Sequence, residues 1–108
     1  MSLNEKTGLE LLKAMMTGDI PKASMADTMP SELIHAEEGL VRFLVTADER
    51  HLNPMGGVHG GFSATVLDTV TGCAVQSVLE PGVKYTTINL NVKMIRPIPL
   101  HKELIAEG

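Results

Sequence analysis

Residues 53–61 read Asn53-Pro54-Met55-Gly56-Gly57-Val58-His59-Gly60-Gly61, and the apolar run at 62–79 that follows carries one charged side chain, Asp68. Glycines at 56, 57, 60 and 61 let the backbone turn sharply and approach a neighbouring group closely. Within the run, Phe62, Val66, Val70, Cys73, Ala74 and Val78 fall on one helical stripe. The remaining sides are also largely uncharged, so the pattern predicts a helix that must be buried. Glu80-Pro81-Gly82 ends it. A glycine loop that feeds such a helix brings unpaired N–H groups and the positive end of the helix dipole to the loop. That arrangement suits a phosphate, or the oxyanion formed at an attacked carbonyl. The loop lacks the Lys-Ser/Thr ending of a P-loop, and its glycine spacing differs from a dinucleotide fingerprint.

Upstream, Leu9, Leu11, Leu12, Met15 and Met16 recur at helical spacing and predict a short amphipathic helix over residues 4–18. Asn4 is its expected N-cap and Gly18 its stop. Residues 21–30 read as a linker. Two short strands are expected at 33–36 and 40–46, joined by a turn at Glu37, Glu38 and Gly39. Downstream, residues 85–96 alternate. Thr86, Ile88, Leu90, Val92 and Met94 fall on one side; Tyr85, Thr87, Asn89, Asn91 and Lys93 fall on the other. That predicts a long strand with one apolar face. Pro97 and Pro99 interrupt it, and another strand begins at 104–106. The class is α+β, with residues 1–108 read as one domain whose first thirty form the N-terminal helix and linker. A helix apolar nearly all round needs a sheet to wrap it, and the strands in this chain are few for that task.

The 108 residues are 44% hydrophobic but only 3% aromatic, with no Trp, so the core is aliphatic. That favours a flexible apolar ligand over one that stacks on rings. The net charge is −4 and the nine Lys and Arg are scattered, which argues against nucleic acid as a partner. No apolar stretch reaches the ~20 residues of a membrane helix. The N-terminus has no secretory apolar region. The single cysteine, Cys73, excludes an internal disulfide and fits a reducing cytoplasm. Cys73 lies on the core stripe and reads as packing. His35, His51 and His101 show no ligand spacing, so no metal is expected.

Asp68 stands nine residues after His59, about two and a half turns along at ~3.6 residues per turn. Its neighbours on that side, Gly61, Ala64, Thr65, Thr71 and Gly72, are small and leave room for a substrate or another helix. A lone carboxylate in an apolar helix is costly unless it is hydrogen-bonded. Placed beside a glycine loop, it is a candidate general base or nucleophile. Bonding to a neighbouring backbone group or to Thr65 is the plainer alternative.

These residues resemble the thioesterase superfamily of hotdog folds, in its phenylacetate-type (PaaI-like) branch. The similarity runs through the Asn-x5-His-Gly-Gly-x6-Asp spacing from Asn53 to Asp68. It continues through Tyr85-Thr86-Thr87-Ile88-Asn89-Leu90-Asn91-Val92 and Ile95-Arg96-Pro97. The resemblance implies a long helix wrapped by an antiparallel sheet, protomers joined edge to edge as a homodimer or homotetramer, and active sites between subunits. It implies an acyl-CoA substrate and no cofactor. Asp68 would activate water or attack the thioester carbon, and the Gly60 N–H would hold the carbonyl oxygen. Asn53 would position the carbonyl or the water, while His59 shapes the loop. Thr87, with Thr86 one register away, would supply a hydroxyl near the water from the other subunit. Met94, Ile95, Arg96 and Pro97 would contact CoA, with Arg96 on a phosphate. Members of that family usually run on through further strands, so the sheet here is expected to be incomplete. The seven methionines, as flexible fillers, suit a core or an acyl tunnel. A hotdog dehydratase or hydratase and a non-catalytic acyl-CoA-binding module are the alternative functions.

Overall fold

A computed structural model describes residues 3–108. The first helix, α1 (Gly8–Thr17), starts later than the spacing of its leucines suggests. Asn4 lies in a separate single 3-10 turn, Leu3–Glu5, and the N-cap is Thr7. The Thr7 hydroxyl accepts from the Glu10 N–H (3.1 Å) and the Glu10 carboxylate accepts from the Thr7 N–H (2.8 Å). This reciprocal pair satisfies two amides that Asn4 could not reach. Gly18 ends α1 in the left-handed conformation, as expected, with φ 83°. The linker contains one helical turn, α2 (Met25–Thr28).

Strands β1 (Ser31–Glu37) and β2 (Leu40–Val45) form an antiparallel hairpin around Glu38 and Gly39. In β2, Val41, Phe43 and Val45 face inward, and Leu40, Arg42 and Leu44 lie on the more open side. After a short 3-10 turn at Glu49–His51 comes α3 (Gly60–Gln76), which packs on β2 and on β3 (Leu104–Glu107). The sheet is antiparallel in the order β1-β2-β3. Its inner face and α3 enclose a core of Leu12, Val41, Phe43, Val45, Ala47, Phe62, Val70 and Ala106. Two glycines mark where backbones meet. A side chain at Gly8 would overlap the Gln76 carbonyl at the end of α3, and one at Gly108 would come within 2.4 Å of the Val70 carbonyl oxygen. Buried Ser77 ties the far end of α3 to the hairpin: its hydroxyl donates to the Ala74 carbonyl and accepts from the Gly39 N–H (2.8 Å).

Two expectations need correction. Residues 85–96 are extended but belong to no strand, and no backbone ladder joins them to the sheet among the described residues. Ile88 and Ile95 are 95% and 85% exposed. Alternation in sequence records which side chains want cover; a strand also needs a neighbouring backbone, and β1, β2 and β3 lie elsewhere. The helix α3 is likewise not buried all round: Phe62 and Val70 are inside, while Leu67 and Val75 are exposed. Three strands cover one side of a helix, not its circumference.

Amide exchange tests this description. In protein dilute enough to be monomeric, amides of residues 86–95 should exchange on the order of 100-fold or more faster than those of β1 and β2. Comparable protection in both regions would reveal a ladder that this fold lacks.

Candidate active site

The glycine loop is held by its own asparagine. The Asn53 side-chain oxygen accepts from the Met55 and Gly57 N–H groups (2.9 and 3.1 Å), and the Asn53 N–H donates to the Gly57 carbonyl (2.7 Å). Only the carboxamide nitrogen of Asn53 thus remains for a ligand. His59 is the N-cap of α3, with its Nδ1 accepting the Gly61 N–H at 2.8 Å. That bond consumes the second amide of the helix. The first, on Gly60, has no acceptor among the described residues. His59 therefore shapes the loop, and it leaves one N–H directed out of the helix end.

Asp68 is half-buried on α3, and its Oδ1 accepts a hydrogen bond from the Thr87 hydroxyl at 2.9 Å. The partner is Thr87, not Thr86 or Thr65, and it belongs to the same chain rather than to another subunit. Residues 85–87 run along α3, with the Tyr85 hydroxyl so close over Gly72 that a side chain there would sit 2.7 Å from it. Burial against the helix, aided by Cys73 and Asp68, pushes the Tyr85 phenol up from its ordinary value. Tyr85 was not among the expected site residues. Its position two residues before Thr87, on the same side of an alternating segment, is the signal that marks it.

At the other end of α3, the Met94 methyl lies 3.3 Å from where a Gly60 side chain would begin. Met94, Ile95 and Arg96 line a cavity of about 210 Å³ with Phe62, Ser63 and Leu67. Pro97 is exposed outside it. Three of the four residues expected at CoA thus gather beside the free Gly60 amide. Among the described residues, no group of three or more His, Cys, Asp or Glu is placed to hold a metal.

One geometric fact governs the chemistry. Gly60 and Asp68 are eight residues apart, about 12 Å along the axis at ~1.5 Å per residue. N–H groups of a first turn point out of the N-terminal end, away from the residues that follow. A carbonyl oxygen on the Gly60 amide therefore lies farther still from Asp68. Within one chain the amide and the carboxylate cannot serve the same carbonyl.

The sequence model of the thioesterase superfamily matches residues 55–108, half of the chain. The chain belongs to that superfamily. Over 78 residues it is 40% identical to a protein of Halobacterium salinarum named as an esterase, covering 68% of this chain and 50% of that one. It is 27% identical over 73 residues to human acyl-coenzyme A thioesterase 13, covering 68% of this chain and 51% of the relative. The chain spans about half the length of the curated relatives it matches. Among solved structures, a phenylacetic acid degradation-related protein from Ralstonia eutropha JMP134 superposes with a TM-score of 0.80 at 30% identity, over 89% of this chain and 74% of that one. Zebrafish thioesterase superfamily member 2 shares the fold with a TM-score of 0.69 at 20% identity, over 94% of this chain and 73% of that one. The long helix against an antiparallel sheet is the hotdog arrangement, as the motif spacing suggested.

Cys73 provides a check on the core side of the helix. Burial pushes its thiol up to about 11. The folded state holds that proton more tightly than the unfolded chain, so the thiol stays protonated and unreactive at neutral pH, and stability from this group is lost as pH rises from its ordinary value towards 11. Alkylation by iodoacetamide at pH 8 should be slow in the native protein and rapid in urea; equal rates would show an accessible thiolate and a different packing of α3.

Proposed function

We propose that the protein hydrolyses acyl-CoA thioesters to the free acid and CoA, in sites built by two copies of the chain. The observation that carries this reading is the Thr87–Asp68 hydrogen bond, which spends a hydroxyl proton on a half-buried carboxylate next to small residues. With its proton committed, the Thr87 oxygen keeps its lone pairs for a water hydrogen, and the second oxygen of Asp68 keeps its own. One water can be gripped by both. Asp68 is then the general base, taking a proton as the water oxygen bonds to the thioester carbon. The oxyanion is received by the Gly60 N–H at the start of α3. The Asn53 carboxamide N–H groups orient the acyl carbonyl. Collapse of the tetrahedral intermediate breaks the C–S bond and releases CoA thiolate.

Because Gly60 and Asp68 of one chain cannot meet across one carbonyl, Gly60, Asn53 and the CoA-facing residues Met94, Ile95 and Arg96 come from one copy, and Asp68 and Thr87 from another. A two-fold pair with antiparallel α3 helices makes two such sites. Support for a second copy comes from the cover that Ile88, Leu90 and Ile95 lack in the single chain, each being exposed. Superfamily membership and relatives named acyl-coenzyme A thioesterases support the substrate class. Arg96 is exposed at the edge of its cavity, where it suits a CoA phosphate. A free, partly buried thiol suits a reducing compartment such as the cytoplasm. No helix among the described residues is long and apolar enough to cross a membrane.

The test is complementation. Asp68→Asn should lower kcat/KM by about 100-fold or more, as removal of a general base does. Gly60→Pro deletes the oxyanion N–H and asks only the flexible Met94 methyl to give way: proline is favoured at the first helical position, and His59, at φ −62° and ψ 137°, already has the backbone a following proline requires. It should cost about 100-fold or more. Refolded together in equal amounts, the two inactive variants should recover about a quarter of wild-type activity, since half the dimers are mixed and one of their two sites is intact. Full activity of Asp68→Asn would remove the base, and mixtures that stay inactive would remove the shared site.

A further inference from the structure

A cavity larger than the one beside Met94 lies away from the glycine loop. It encloses about 340 Å³ between α1, α2, the inner face of β1 and β2, and the flank of α3 adjacent to the one that carries Asp68. Four of the chain's seven methionines, Met15, Met16, Met25 and Met29, line it, and Thr65 and Thr69 of α3 form the wall nearest Asp68. No buried side-chain nitrogen or oxygen among the described residues lacks a hydrogen-bond partner. The cavity lining is mainly aliphatic, with Lys22 and Glu32 its only charged members, so its guest is chiefly apolar. Methionine is the side chain that adapts to a flexible guest, because its unbranched thioether rearranges at little cost. We infer that this cavity receives the hydrocarbon tail of the acyl group, and that the substrates are thioesters of medium-chain aliphatic acids.

The route follows from helix geometry. Thr65 precedes Asp68 by one turn, at the roughly 5–6 Å spacing of i,i+3 neighbours. Between Asp68 and the cavity the flank of α3 carries small residues, so a chain leaving a carbonyl at Asp68 crosses Thr65 and Thr69 without meeting a bulky side chain. About ten methylenes fill 340 Å³, taking roughly the ~30 Å³ of a liquid water for each. The roof is fastened to the catalytic loop. The Arg50 guanidinium donates to the Asp27 carbonyl (3.1 Å) while gripping Asp48, whose carboxyl it holds well below the usual carboxylate range. The ring of buried His51 bridges the Asp48 N–H to the Thr28 carbonyl. Thus α2, one wall of the cavity, is pinned to the turn that leads into Asn53.

The inference rests on the hydrolase reading for the position of the carbonyl, but its test does not need turnover. With 13C-methyl methionine, S-decyl-CoA, a thioether that cannot be hydrolysed, should shift the methyl signals of Met15, Met25 and Met29 and leave Met55 unmoved. S-ethyl-CoA should leave those three unmoved. Shifts at Met94 alone, or at no methionine, would overturn the proposal. In Ala26→Phe, which fills the cavity from α2, the ratio of kcat/KM for decanoyl-CoA to that for acetyl-CoA should fall at least tenfold. An unchanged ratio, or a wild-type preference for acetyl-CoA or phenylacetyl-CoA over decanoyl-CoA, would also overturn it. If no acyl-CoA is hydrolysed but the methyl signals shift, the hydrolase reading fails while the cavity assignment stands.

Discussion

The rise of an α-helix is fixed, and in this protein it separates the two groups that the chemistry must bring together. Gly60 opens α3 with a free amide, and Asp68 sits two turns farther on with its hydroxyl partner already in place. Neither rotamers nor loop motion shortens that span, because both groups belong to one rigid element seated on the core. Phe62 and Val70 anchor it to β2 and β3, and Gly8 and Gly108 let neighbouring backbones close on it from two sides. The same rigidity is what the proposed sharing of a site between two chains relies on, since each would present its half at a set distance and angle.

The same helix divides the surroundings by function. Its start faces the cavity of Met94, Ile95 and Arg96; the flank carrying Asp68 meets Tyr85 and Thr87; the adjacent flank walls the methionine cavity. One element would thereby relate the polar end, the reacting carbon and the tail of the proposed substrate. The network of Asp48, Arg50 and His51 extends this order to the linker, which composition alone would treat as slack.

How much of this was legible in the sequence depends on how local the cause is. The hairpin and α3 follow from periodicity and turn residues, so their positions were readable to within a few residues. The start of α1 was misplaced by attention to Asn4, although Thr7 and Glu10 stand at the spacing of a reciprocal cap. Asp68, Gly60 and His59 were visible as candidates because a charge in an oily helix and a glycine loop before it are local oddities. The same-chain bond from Thr87 was not, since its partner lies nineteen positions away across a segment whose packing no periodicity specifies. The clustering of four methionines is hidden for the same reason: they converge only when α1, α2 and the sheet fold over α3.

Residues 85–96 show what such a reading measures. Their alternation describes the surroundings of a covered strand, and in the single chain those surroundings are absent: Ile88 stands almost wholly in solvent while Tyr85 and Thr87 rest on α3. An apolar residue repeated at every second position is expensive to leave exposed, and an extended backbone with open N–H and C=O groups invites pairing. Tyr85, Thr87 and Met94 find contacts on α3 within the chain, while Ile88, Leu90 and Ile95 stay exposed and ask for another surface. The chemistry makes the same demand independently, because the amide that would receive the oxyanion and the carboxylate that would activate water face different places. In the two-copy site proposed above, one surface laid along this segment would answer both demands, one of cover and one of catalytic reach.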